Sequence, residues 1–183
     1  MKKLKKLKEV LTAKNTPYFL ATARISLGFM FFCAFIDKLI GLGFSTCKSP
    51  ISNTTEILCN SSWLKGGSPT KGFLNSSKGP LSDIYHSLAG SGLIDFLFMV
   101  GLLLIGLSLI LGIGIKIAAV SGITLTLMMW SSILPPKNNP LLDEHIIYAL
   151  VLAIISTNNN QQVWGLRNWW AKTPLVKRFL ILE

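Results

Sequence analysis

Long, uninterrupted apolar runs dominate the pattern of hydrophobic and polar positions along this chain. Three of them, at about 17–39, 93–111 and 113–134, approach the ~20 residues that a helix needs to cross ~30 Å of hydrocarbon. A soluble protein of 183 residues could hardly bury three helices that are apolar on every face. The pattern therefore predicts membrane-spanning helices.

A fourth and shorter apolar run predicts a last helix at about 141–157. Its uninterrupted apolar part is too short to cross a bilayer alone, and the whole run from 141 to 156 reaches about 24 Å as a helix. We therefore expect this helix to span only if Asp143, Glu144 and His145 lie at or just inside the membrane boundary. The predicted fold is an all-α, single-domain integral membrane four-helix bundle over 1–183, with a long outer loop at about 42–92.

The distribution of charge supports this prediction and orients the chain. Only 14% of the residues are charged and the net charge is +10, but the basic residues flank the apolar runs, which argues for anionic lipid rather than nucleic acid as the partner. The positive-inside rule then predicts a multi-pass cell-membrane protein with both termini cytoplasmic. Three tryptophans among Arg and Lys predict that the segment 163–183 lies on the lipid surface.

The first predicted helix carries two cations, Arg24 and Lys38, on one face with Gly28 between them. A charge at the centre of a span costs about 2.5–3.5 kcal/mol, so such residues usually face a protein interior or a cavity. The alternative is that both side chains extend to opposite interfaces. Phe31 and Phe35 share the same face and offer it aromatic surface.

Six ionisable residues are predicted to reach one depth, near the outer ends of three helices. They are Asp37, Lys38, Asp95, Asp143, Glu144 and His145. They can form a buried polar site, or they can be solvated helix ends whose acids are stabilised by the helix dipole. Because the fourth run is so short, we favour the buried site.

The outer loop is too long for a simple connection, which indicates function. Within it, the segment Trp63–Leu74 places Gly66 and Gly67 between Lys65 and Lys71. Glycines beside Ser and Thr can turn backbone N–H groups toward an anion, and the two lysines add positive charge. An ordinary amphipathic loop is the alternative.

The number and spacing of the cysteines and histidines limit which disulfide, metal and haem sites the chain can form. Cys47 and Cys59 lie in the outer loop, where a disulfide between them would close a thirteen-residue loop and contribute roughly 3 kcal/mol. The chain has no CxxC, no metal-spaced Cys/His cluster and only two histidines. We therefore predict neither a bound metal nor a haem.

Several of these motifs together resemble the DoxD/DoxX family. The motifs are Arg24-x3-Gly28 followed by Asp37-Lys38-Leu39, the Trp63–Leu74 segment, and Asp143-Glu144-His145 with a later Trp164-Gly165-Leu166. The match is closer to DoxD, the membrane subunit of thiosulfate:quinone oxidoreductase, and it extends over about residues 17–170.

The resemblance implies that two thiosulfate ions are oxidised to tetrathionate and that a membrane quinone takes the electrons. It implies a second, DoxA-like subunit as a partner. Catalytic roles would then fall to Lys38, Asp143, Glu144 and His145. Binding of a small anion would fall to Arg24, Asp37, Lys65, Gly66, Gly67, Lys71 and Asp95, and the quinone would lie beside Phe31 and Phe35.

Two other functions stay open at the level of sequence. One is a non-catalytic DoxX-like membrane scaffold or redox-stress accessory protein. The other is a small anion carrier that uses Arg24 and Lys38 along one helical face. Assembly into an oligomer is also left open.

Overall fold

The computed structural model describes residues 15–48, 56–136, 139, 141–179 and 182, which form helices and no strands. The helices are α1 (Thr16–Ile40), α2 (Lys71–Asn75), α3 (Ser82–Leu88), α4 (Gly92–Leu111), α5 (Ile115–Ser132), α6 (Glu144–Thr157), α7 (Arg167–Trp170) and α8 (Pro174–Arg178). Short 3-10 turns occupy Trp63–Lys65 and Asn159–Gln161. The prediction of an all-α chain is confirmed for the described residues.

Three of these helices are long and apolar enough to cross a membrane: α1, α4 and α5, with 25, 20 and 18 residues. Their bounds agree with the predicted spans to within two residues at each end. The fourth helix, α6, has only 14 residues, or about 21 Å at 1.5 Å per residue. It begins at Glu144, three residues later than predicted, because the side chain of Asp143 caps it by accepting from the His145 and Ile146 amides.

Glycines end the long helices where the chain must turn sharply. Gly41 follows α1 with a φ of 75°, and Gly112 follows α4 with a φ of 72°. The amides of Gly112 and Ile113 both donate to the Ser108 carbonyl and so close the last turn of α4. Since Gly114 also has a positive φ, α5 begins directly after this turn and runs back along α4.

The four longest helices alternate in direction and share one apolar core. Buried side chains from α1, α4, α5 and α6 meet in it: Leu27, Phe31, Leu102, Ile105, Leu109, Ile115, Ala119, Leu152 and Ile155. Small residues set the spacing of the helices. On α5, Gly122 lies against Leu152 of α6, where an added Cβ would come within 2.8 Å of Leu152 Cδ1.

A close helix contact joins α1 to α4 through two glycines, Gly28 and Gly106. A Cβ on Gly28 would lie 2.8 Å from the Ile110 nitrogen, and a Cβ on Gly106 would lie 2.8 Å from the Phe32 nitrogen. Each would also meet the carbonyl oxygen of the other glycine, at 3.0 and 3.1 Å. The space at Gly28 is therefore taken by the backbone of α4, and small residues permit this approach as they do in membrane helix pairs.

Replacing Gly106 by alanine should destabilise the protein by about 1–3 kcal/mol, because its Cβ meets backbone atoms that cannot move aside. Gly101→Ala in the same helix is the matched control, since its Cβ would have no heavy atom within 4 Å. Thermal unfolding in detergent compares the two variants. Equal melting temperatures would show that the α1–α4 contact has room for a methyl group at Gly106.

The C-terminal segment is folded into short helices and presents apolar side chains outward. Trp164, Trp169, Leu175 and Phe179 are all at least half exposed. The indole of Trp170 instead donates to the Leu182 carbonyl at 2.7 Å. Exposed Trp and Phe beside Lys and Arg are the composition expected of a segment on a lipid surface.

Some sequence predictions fall outside the described residues. They concern the lysines of 1–14, which carry much of the orientation argument, and the loop residues 49–55. Positions 137, 138 and 140, before the last predicted span, and positions 180, 181 and 183 of the C-terminal segment are also outside them.

Candidate functional site

A largely apolar cavity of about 560 Å³ lies at the end of the helices where α1 finishes and α4 begins. Helices α4 and α5 form its long walls through Leu97, Phe98, Gly101, Val120, Leu125 and Met128. The loop that precedes α4 covers one side through Pro69, Thr70, Phe73, Leu74 and Tyr85. Its size is within the range of small-molecule sites, which are mostly apolar with few polar groups.

Lys38 is the one cationic side chain that lines this cavity among the described residues. It is half-buried near the end of α1. Its Nζ lies 3.5 Å from the Ser45 hydroxyl and 6.0 Å from the centre of the Phe98 ring. No carboxylate of the described residues lies within salt-bridge distance of it. The ammonium group therefore keeps donors available for a ligand in the cavity.

Asp37, next to Lys38, holds the turn that follows α1. It is 2% exposed, and its carboxylate accepts hydrogen bonds from the amides of Phe44, Ser45 and Thr46 and from the Ser45 hydroxyl. These four donors occupy both carboxylate oxygens. The structure thus gives Asp37 a positioning role, since Ser45 also contacts Lys38, and leaves it no surface for binding an anion.

Asp95, in the first turn of α4, anchors the loop that covers the cavity. It is 5% exposed, and its Oδ1 accepts from the hydroxyls of Ser68 and Thr70 at 2.9 and 2.6 Å and from the Thr70 amide at 3.2 Å. Thr70 lines the cavity, and so do Phe73 and Leu74 a few residues later. The carboxylate therefore fixes the loop that covers the cavity to α4, one of the two helices that form its long walls.

Asp95→Ala should loosen this loop, because the buried amide and hydroxyl of Thr70 and the half-buried hydroxyl of Ser68 would lose their acceptor. Leaving a buried donor without a partner costs about 1–3 kcal/mol. We expect faster tryptic cleavage after Lys65 and Lys71, on either side of the anchored residues. Asp83→Ala is the control, since Asp83 is exposed in the first turn of α3. Unchanged cleavage rates in Asp95→Ala would show that other contacts hold the loop.

The glycine-rich segment is folded on itself. The Gly66 amide donates to the Trp63 carbonyl and the Gly67 amide to the Ser62 carbonyl, both at 3.0 Å. Gly67 also lies against Ser61, so closely that a Cβ there would be 2.3 Å from the Ser61 oxygen. Neither amide is therefore turned toward a bound anion, and the glycines permit a tight turn.

The two lysines of this segment are both exposed. Lys71 begins α2, the helix whose Phe73 and Leu74 line the cavity. Lys65 ends the preceding 3-10 turn. Both lie on the loop that covers the cavity, and neither lines it.

Cys47 and Cys59 form a disulfide, with Cα atoms 5.7 Å apart. The bond lies directly against the end of α1, where a Cβ on Gly41 would overlap Cys47 Sγ. The Leu58 amide donates to the Ile40 carbonyl beside it. The disulfide therefore ties the two described parts of the loop to the helix that carries Lys38.

Asp143, Glu144 and His145 form a helix cap. Asp143 accepts from two amides of α6, and its Oδ2 lies 2.6 Å from His145 Nδ1. One potential ligand atom from each of the three residues lies within 4.8 Å of the others, and Glu144 is exposed. None of the three is among the residues that line the cavity. The three residues therefore lie outside the lining of the cavity that contains Lys38.

Arg24 is buried at the opposite end of α1 and is 1% exposed. Its Nη1 donates to the Leu109 and Ile110 carbonyls at the end of α4. Its Nη2 donates to the Val163 and Trp164 carbonyls, at 3.2 and 2.8 Å. The guanidinium joins three parts of the chain and is not open to a substrate.

Sequence reasoning found Lys38 and missed most of its surroundings. Tyr85 was not singled out, although its hydroxyl hydrogen-bonds with Met128 O and Ser131 Oγ and its ring lines the cavity. Thr70 was noticed only as part of a glycine-rich segment. The buried Thr70–Asp95 pair could be found only from tertiary contacts. Phe31 was expected to line a quinone site, but it is buried in the core.

Comparison of the chain with protein-family models, curated proteins and solved structures gives no match. Function is therefore inferred from the residues of this chain and from the geometry that they form. The strongest geometric feature is the apolar cavity with the ammonium group of Lys38 in its wall.

Proposed function

We propose that this chain is a membrane subunit that binds a quinone and passes it the electrons of thiosulfate oxidation, as its resemblance to DoxD implies. The observation that carries the proposal is the cavity of about 560 Å³, which is mostly apolar and has Lys38 in its wall. Quinones are lipid-soluble rings with carbonyl acceptors. They need an apolar surface and at least one donor, and this cavity offers both.

The aromatic and sulfur-containing side chains suit a planar ring. Phe73 and Phe98 offer aromatic faces, and Met128 and Met129 offer adaptable apolar surface. The Lys38 ammonium group would donate to a quinone carbonyl and stabilise the negative charge that develops on reduction. The quinone would thus lie between α4, α5 and the covering loop, and not beside Phe31 and Phe35.

The proposed reaction balances without a resident redox centre in this chain. Two thiosulfate ions form the S–S bond of tetrathionate and release two electrons, and the quinone takes two electrons and two protons to become the quinol. Lys65 and Lys71 would attract the thiosulfate dianion to the covering loop, since both are exposed there. A DoxA-like partner would complete the site at which thiosulfate reacts.

Protons for the quinone must come from the same end of the helices. Asp143, Glu144 and His145 form a titratable set at the start of α6, and they would act through water because they do not line the cavity. We assign them this supporting role and keep Lys38 as the residue in contact with the quinone.

We further propose that α6 completes a four-helix bundle in the cell membrane, with both termini in the cytoplasm. Four core helices of alternating direction and the exposed Trp and Phe of the C-terminal segment support this arrangement. The cavity would then face the outer side. The anion-carrier alternative has less support, because Arg24 uses four of its donors on backbone carbonyls.

The test is thiosulfate-dependent reduction of a short-chain quinone by membranes that contain this chain and a DoxA-like partner. We expect quinol to form at half the rate at which thiosulfate is consumed. Membranes with the partner alone are the control. No quinol formation, despite assembly of both subunits, would contradict the proposal and favour a non-catalytic scaffold.

A further inference from the structure

A second, much smaller cavity lies beside the Arg24 guanidinium, at the end of the helices opposite to Lys38. Its volume is about 20 Å³. The start of α1, the end of α6 and the turn after α6 line it, and the lining includes both Arg24 and Gln162. The cavity thus lies between the long helices and the C-terminal segment.

Two buried polar atoms of this lining have no hydrogen-bond partner among the described residues: Arg24 Nε, a donor, and Gln162 Oε1, an acceptor. Arg24 is 1% exposed, so its Nε–H cannot be satisfied by bulk water. Leaving a buried donor and a buried acceptor in the lining of one cavity without partners is costly for any protein.

The backbone holds the Gln162 amide beside the guanidinium. A Cβ on Gly112 would lie 2.8 Å from Gln162 Nε2, and a Cβ on Gly165 would lie 2.7 Å from Gln162 Oε1. The same two Cβ positions would be 3.0 and 3.4 Å from Arg24 Nη1 and Nη2. Two glycines therefore leave room for this amide, and the fold fixes the amide group beside the guanidinium.

We propose that this cavity binds one internal water molecule, which accepts from Arg24 Nε–H and donates to Gln162 Oε1. The chemistry of the lining selects water among small ligands. A metal or ammonium cation would be repelled by Arg24, and a halide could accept from Nε–H but has no proton for Oε1. A water molecule needs a cavity of about 10–15 Å³ and polar partners. This cavity, of about 20 Å³, provides both.

The water would extend the attachment of the C-terminal segment to the helices. Arg24 already holds that segment through the Val163 and Trp164 carbonyls. A water bridge from Arg24 Nε to Gln162 would add a third link between α1 and the segment 162–164. The bound water should exchange slowly, because Arg24 is only 1% exposed and both atoms that the water would contact are buried.

The test is NMR of the full-length, 15N-labelled protein in detergent micelles, reading the Arg24 Nε–H resonance for cross-relaxation with water. In the wild type we expect a cross-peak between this resonance and water with the sign of a long-lived water molecule. The cross-peak should be at least fivefold weaker in Gln162→Leu. It should be unchanged in the control Asn168→Leu, because Asn168 is exposed. Gly165→Ala should also weaken it, since its Cβ displaces Oε1 and leaves the glutamine side chain present.

Three results would overturn the proposal. The first is an assigned Arg24 Nε–H resonance without a water cross-peak in the wild type. The second is a cross-peak that is unchanged in both Gln162→Leu and Gly165→Ala, because the water would then not bridge to Gln162. The third is a saturable shift of the Nε–H resonance on titration with bromide, because the cavity would then hold a halide.

Discussion

Arg24→Ala should lower the free energy of unfolding by about 3 kcal/mol or more. The four carbonyls that accept from Arg24 would lose a charged donor together, and hydrogen bonds to charged groups contribute about 1.5–3 kcal/mol each. Two of these carbonyls end α4, where a cation also offsets the helix dipole. Part of the loss is regained, because a buried charge is removed at the same time.

Lys116→Ala is the matched control for Arg24. Lys116 also lies within a candidate span, but it is exposed in the first turn of α5. Unfolding in detergent, followed by tryptophan fluorescence, compares the two variants. If Arg24 merely extended to the lipid interface, as the alternative interpretation of the sequence held, both substitutions would have the same small effect.

Lys38→Met should weaken quinone binding by about 10- to 100-fold and leave the fold intact. The loss corresponds to one hydrogen bond from a charged donor, about 1.5–3 kcal/mol, and ~1.4 kcal/mol is a factor of ten in affinity. Stability should change little, because the protein contacts of Nζ are a long hydrogen bond to Ser45 and a distant ring. Lys38→Arg should retain part of the affinity, since it keeps the charge.

Lys78→Met is the control for general loss of positive charge, because Lys78 is exposed and is not part of the proposed site. Binding is measured by quenching of tryptophan fluorescence with a short-chain quinone in detergent. Equal affinities of Lys38→Met and Lys78→Met would remove Lys38 from the site. Thermal unfolding of each variant separates a binding defect from misfolding.

The sequence predicted the long helices well because their signal is continuous. Apolar runs of about twenty residues have few alternative structures, and the positions of Pro17, Gly41 and Gly112 agree with where the helices begin and end. The fourth helix was harder to predict. Its bounds depend on whether Asp143 lies inside the helix or caps it, and the Asp143 side chain proves to cap it.

The candidate site was predictable only in part. Lys38 could be found because a cation inside an apolar run is costly and therefore conspicuous. The roles of Asp37 and Asp95 could not be predicted, because the depth of a carboxylate in the membrane does not show which donors it accepts hydrogen bonds from. Asp37 binds a turn seven to nine residues later, and Asp95 binds residues twenty-five to twenty-seven positions earlier. Such partners depend on how the loop folds back.

The glycine-rich segment shows a related limit. Glycines beside Ser and Thr are equally consistent with an anion site and with a tight turn. The choice depends on where each backbone N–H points. In this chain the amides of Gly66 and Gly67 donate within the loop, which no local pattern distinguishes from binding an anion.

The most direct test of the central claim, that the cavity beside Lys38 binds a quinone, is photo-crosslinking with a photoreactive quinone analogue in membranes. The adducts are mapped by mass spectrometry. We predict adducts on α4 and α5 at the cavity wall, near Phe98 and Met128, that an excess of unlabelled quinone suppresses and Lys38→Met reduces. Adducts elsewhere on the chain, or adducts at these positions that unlabelled quinone does not suppress, would contradict it.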